Sequence, residues 1–272
     1  MTLEKIRHFF LVLCFMGAVV AYGATAKASD VDLLLETLHY KESLKSLPDF
    51  LVRQFMQAIQ PITSPLELRR VRERAEDTTY KIFDQNILLQ ETRKRLMSSL
   101  SEKELADIRN GAQMPLIEKI TRLEAQELEP DFHEKLSAYL AYLHTNPIPA
   151  KRGALLRDLS RRLGGTEMTR VAFIAVAKAS AMVAVRLKDE AANEKEVDEA
   201  LAKETTTLLP QLEEQFIATK AYVYKSLTDE ELERYLQMMS RDEWQKATDI
   251  INDIFKARFE VWSQAMVKAF AS

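Results

Sequence analysis

The chain has 272 residues, with 38 basic against 41 acidic side chains and one cysteine. A mildly acidic balance argues against general nucleic-acid binding, which relies on Lys and Arg to neutralise phosphates. A lone cysteine excludes any disulfide framework within the chain.

The first predicted element is an export signal. Lys5, Arg7 and His8 form a basic start, and Phe9 to Ala21 then runs without a charge. Ala24-Thr25-Ala26 and Ala26-Lys27-Ala28 both offer the small-x-small pattern of a signal-peptidase site, which places cleavage after Ala26 or Ala28. An uncleaved anchor would need roughly 20 apolar residues, more than this stretch supplies. Cys14 follows Leu13 rather than a small residue, which disfavours lipoprotein processing. The expected mature chain, residues 29–272, is periplasmic or secreted. It lacks cysteine, keeps 35 basic and 40 acidic side chains, and has room for a core without covalent staples.

Helical patterns follow. Asp32 to Leu47 carries Leu34, Leu35, Leu38, Leu44 and Leu47, and Pro48 is expected to close it. Phe50, Leu51, Phe55 and Ile59 mark a second segment ending at Pro61. Ser64-Pro65-Leu66-Glu67 is a capping box with Pro in the first turn, opening a helix expected to reach about Ser99. Further boxes begin at Ser101, Asp131, Thr228 and Ser240, and the prolines are expected at junctions. Gly164-Gly165 before Thr166 reads as a C-cap followed by a new N-cap. No stretch alternates with period two between turn signals, so the predicted fold is an all-α multi-helix bundle.

An internal repeat organises these helices. Leu100-Ser-Glu-Lys-Glu-Leu105 matches Leu227-Thr-Asp-Glu-Glu-Leu232, and Leu34 to Leu38 matches Leu155 to Leu159 in pattern. The offsets of 127 and 121 residues predict related halves, 29–149 and 150–272, divided near Asn146-Pro147-Ile148-Pro149. In these features the chain resembles a divergent, tandem member of a bacterial family of exported all-helical proteins known only as a domain of unknown function. Its members pair a Leu-Ser/Thr-x-x-Glu-Leu box with a Phe-Tyr-x-Ser-Pro-x-Gly segment. Here Leu227 to Leu232 fits the box, whereas Tyr235 to Trp244 lacks the Pro and Gly, and Tyr139 to Gly153 has Asn146-Pro147 in place of Ser-Pro. The resemblance implies an exported helical fold and no particular activity.

Chemistry candidates are sparse. His39, His133 and His144 form no local zinc pattern, and no metal, cofactor-binding or catalytic residue is assigned. Asp131 and Glu134 flank His133 at a helix start, where acids favour the helix dipole. Glu42-Ser43 matches a dipeptide of murein-cleaving transglycosylases without the downstream segment those enzymes need. No nucleophile elbow or phosphate loop occurs.

Two kinds of surface remain. Val171 to Leu187 is apolar almost all round, a pattern expected of a central core helix, with Lys178 disfavouring a membrane span. The last helix, Asp242 to about Phe270, has a second apolar stripe in Phe255, Phe259, Trp262, Met266 and Phe270, an interaction-surface candidate for a protein partner, a second subunit or an apolar ligand. Arg69, Arg70, Arg72, Arg74, Lys151 and Arg152 are candidate contacts to an anionic surface, making any membrane contact peripheral. The expected function is non-enzymatic binding in the cell envelope. The alternatives are an envelope hydrolase or lyase whose acids converge only in the fold, and a structural homodimer.

Overall fold

A computed structural model describes residues 26–270 apart from 130 and 188–192. The basic start, the apolar run and Cys14 of the expected export signal lie outside the described residues. The α-helices are α1 (Ala26–Thr37), α2 (Tyr40–Ile59), α3 (Pro65–Ile82), α4 (Gln85–Ser99), α5 (Glu102–Ala112) and α6 (Pro115–Ala125), followed by α7 (Phe132–Leu143), α8 (Ala150–Leu163), α9 (Gly165–Leu187), α10 (Glu194–Val223), α11 (Asp229–Met239) and α12 (Asp242–Ala269). Short 3₁₀ turns follow α2 and α6, and no strand occurs among the described residues. The fold is all-α.

Three sequence boxes form in full. Ser64 with Glu67, Ser101 with Glu104, and Thr228 with Glu231 each exchange side-chain bonds with the opposite backbone N–H, so orphan donors at the helix starts are satisfied. Other boundaries differ from expectation. The helix expected to reach Ser99 breaks after Ile82, because Asp84 accepts from the Ile87 N–H at 2.9 Å and starts α4. A short acid can hold that turn as well as a helix can. Pro48 and Pro210 lie inside α2 and α10 rather than at junctions. A proline there forfeits one backbone bond, and around Pro48 the buried Leu44, Leu47, Phe50 and Leu51 hold the helix continuous. Ser240 caps nothing; its hydroxyl donates to the Leu236 carbonyl at 2.7 Å. Asp131 makes no side-chain cap and pairs with Lys135 instead. Gly164 is the expected C-cap at φ 68°, but Thr166 bonds the Ser160 hydroxyl rather than capping α9.

The break expected at Pro48 occurs at His39, which separates α1 from α2 at φ 42°. His39 N–H donates to the Glu36 carbonyl, and its own carbonyl accepts from Ser43. Gly164, between α8 and α9, repeats both bonds with Arg161 and Met168. These are the two positive-φ residues among those described. α1 packs on α5 as α8 packs on α11, and α2 meets α9 at the centre. α12 lies against α9 and reaches back to α3, α4 and α5, which joins the two halves.

Candidate functional site

Two places gather chemistry. The first is a groove of about 380 Å³ between α9, α12 and the start of α10, within the usual range of ligand pockets. Val171, Ile174 and Ala175 of α9 supply apolar walls, and Glu167, Arg170, Lys178, Asp198, Lys256 and Glu260 ring it. Most of those charges are engaged. Arg170 makes a two-pronged bond to Glu167 and holds its carboxyl below the usual range. Lys178 binds Glu194 and Asp198, each at 2.8 Å, which ties α9 to α10. The Lys256 ammonium stands 3.9 Å from Asp253, a looser pairing. Ser263 also lines the groove, and its buried hydroxyl has no hydrogen-bond partner among the described residues.

The second place is interior. Lys220 of α10 is 2% exposed, and its ammonium donates to Glu127 Oε1 at 2.6 Å in the 3₁₀ turn after α6. Glu124 Oε1, at the end of α6, lies 4.0 Å from the same nitrogen and accepts from the Tyr224 hydroxyl. Burial pushes the Glu124 carboxyl up to about 7 and raises Glu127, while the Lys220 charge works against both shifts. Burial also raises the phenols of Tyr224 and Tyr235, which stand edge to face at 6.2 Å. His39 joins from the α1–α2 junction, with its Nε2 3.1 Å from the Thr121 carbonyl oxygen. A carbonyl only accepts, so Nε2 carries the proton and Nδ1 is a lone pair. Burial, then the Lys220 charge, lowers the ring to about 3 and keeps it neutral. Its Nδ1 and Glu127 Oε2 have no hydrogen-bond partner among the described residues.

Most of the residues singled out from sequence serve the packing. Phe255, Phe259, Trp262 and Met266 are buried within the chain. Trp262 Nε1 donates to Thr79 at 2.9 Å, and Phe83 meets Phe259 at 5.5 Å. Phe270 stacks on Phe55 with the Arg74 guanidinium 5.8 Å from its ring. Four of the five residues of the expected aromatic surface therefore lie in an internal seam, and Phe270 at its end is half-buried. Trp262 needs no second copy for its burial.

The basic clusters are largely paired as well. Arg69 and Arg72 face Glu73 and Glu76 one turn on, and Arg74 donates to the Ala269 carbonyl. Arg70 is exposed. Lys151 pairs with Glu233, and Arg152 binds Asp229 and the carbonyls of Tyr224 and Leu227, closing the end of α10. His133 and His144 lie at opposite ends of α7. Among the described residues no group of three or more His, Cys, Asp or Glu is arranged to hold a metal ion. Glu42 and Glu134 sit on α2 and α7, away from the buried pair Glu124 and Glu127.

By composition and length α9 passes for a membrane span, yet 56% of its most apolar window is buried inside the chain, the condition of a core helix. No protein-family model, curated protein or solved structure matches this chain.

Proposed function

We propose that the protein is exported and acts without catalysis, by taking an amphipathic ligand with one acyl-type chain into the groove beside α9. One observation carries this reading: an apolar wall on the most apolar helix opens to solvent under a charged rim. The loosely paired Lys256 gives that rim a cationic group for an anionic headgroup. The buried carboxylates Glu124 and Glu127 are bound to Lys220 and Tyr224 in the interior.

Export rests on the sequence signal. In support, Lys27, Ala28 and Ser29 are not buried, and the buried Asp30 binds Arg109 at 3.0 Å. The matching order of helices, the equivalent junctions at His39 and Gly164 and the paired boxes support a tandem duplication. The likeness to the exported helical family belongs to the same proposal.

Delipidated mature chain titrated with a dansyl-labelled fatty acid should give saturable, blue-shifted emission. Ile174→Glu, which sets a charge in the apolar wall, should weaken that binding by about tenfold or more with unchanged far-UV circular dichroism. Emission that never saturates, or that ignores the substitution, refutes the groove as the ligand site.

A further inference from the structure

The buried cluster holds one ammonium and two carboxylates, so its charges balance only when one carboxylate carries a proton. Glu127 takes the close ion pair at 2.6 Å. Glu124 stands at 4.0 Å and meets the Tyr224 hydroxyl, a group that can accept from a carboxylic acid as well as donate to a carboxylate. Glu124 is therefore the natural holder of the proton. The other groups that face the cluster are the Tyr235 phenol from α11 and the neutral His39 ring from the α1–α2 junction. Outside it, Lys119 pairs with Glu231 and Arg152 with Asp229.

What this cluster fastens is lightly held. Beyond the 3₁₀ turn, α7 buries only Phe132 and Leu136 among its described side chains, and Phe132 and Tyr139 lean on Tyr222 of α10 at 5.6 and 5.3 Å. Segments with few buried apolar contacts open first. We propose that Glu124, Glu127 and Lys220 form a proton-operated latch: protonated once, it seats the 3₁₀ turn and α7 on α10, and deprotonated, it releases them. An unbalanced buried negative charge draws water towards Glu127 Oε2, which has no hydrogen-bond partner among the described residues, and the opening that admits water unseats α7.

Amide hydrogen exchange of the full mature chain at about pH 6 and about pH 8.5, corrected for intrinsic rate, tests this across residues 126–143. Wild-type protection should fall about threefold or more at the higher pH, while Glu124→Gln, which mimics the protonated acid, should hold its protection. An equal fall in both overturns the latch. Should the variant fail to fold, carboxyl-selective ¹³C NMR of the wild type decides: titration of Glu124 near neutrality supports the latch, and titration near the ordinary value of about 4 overturns it.

Discussion

The junctions at His39 and Gly164 make the same backbone turn with opposite chemistry. Each has positive φ, donates to the carbonyl three residues back and accepts from the amide four residues on. At Gly164 the turn is bare, and Asn252 of α12 packs so close that a β-carbon would lie 2.4 Å from its Nδ2. At His39 a side chain bears the left-handed conformation, which costs an L-residue about 1–2 kcal/mol. There the ring reaches Thr121 beside a buried ionic cluster. One junction closes by close packing, the other by polar groups whose protons matter. The lesson is that equal backbone geometry does not imply equal sensitivity to solution conditions.

The largest effect should come from Lys220→Met, which strands the buried Glu127 carboxylate beside Glu124. A loss of about 3–5 kcal/mol in urea unfolding is expected; a loss no larger than that of a surface substitution would mean that the cluster is already neutralised by protons. Next comes pH. Glu124, raised to about 7, gives stability that is full below its unfolded value of 4.5 and lost as pH rises through 7. His39, lowered to about 3, gives stability that is full above 6.5 and lost as pH falls through 3. The two slopes oppose one another between those unfolded values, so thermal midpoints should form a plateau there and fall on either side. Glu124→Gln should weaken the alkaline fall and turn the plateau into a rise towards pH 6.5, because the His39 slope is then unopposed.

Gly164→Ala should then cost about 1–3 kcal/mol from strained φ and the approach of Asn252. It should lower the whole pH profile without changing its shape, and an altered shape would tie the second junction to the cluster after all. The smallest effects belong to Ser101→Ala and Thr228→Ala, each about 1 kcal/mol. Clearly unequal losses, measured by chemical denaturation, would break the correspondence between the two capping boxes.

The helices and three of the caps were legible because their signals are local: a capping box lies within four residues. The break at His39 was harder, since its ring bonds the distant Thr121 carbonyl; the break at Asp84 rests on a local cap to Ile87 that lacks the Glu three residues on which completes the other boxes. The prolines misled because packing on both sides of Pro48 outweighs one lost hydrogen bond. The interior cluster was invisible as a constellation, for its members come from residues 39, 124, 127, 220, 224 and 235. One hint was present. Lys220 is the lone charge in Phe216 to Tyr224 (FIATKAYVY), and a cation inside so apolar a run calls for a buried partner. The groove escaped notice because Val171 to Leu187 is apolar on every face, which hides the face left open.

The chain has two tryptophans, Trp244 and Trp262, and both belong to α12 with no exposed surface. Their indole N–H groups differ: one donates to Thr79, and the other has no acceptor among the described residues. Intrinsic fluorescence of this protein is therefore the optical signature of a single helix in its seat. Emission should be blue-shifted and shielded from aqueous iodide in the folded state. A red shift would register the departure of α12 from α9 and α3, giving a label-free gauge of whether the two halves are still joined.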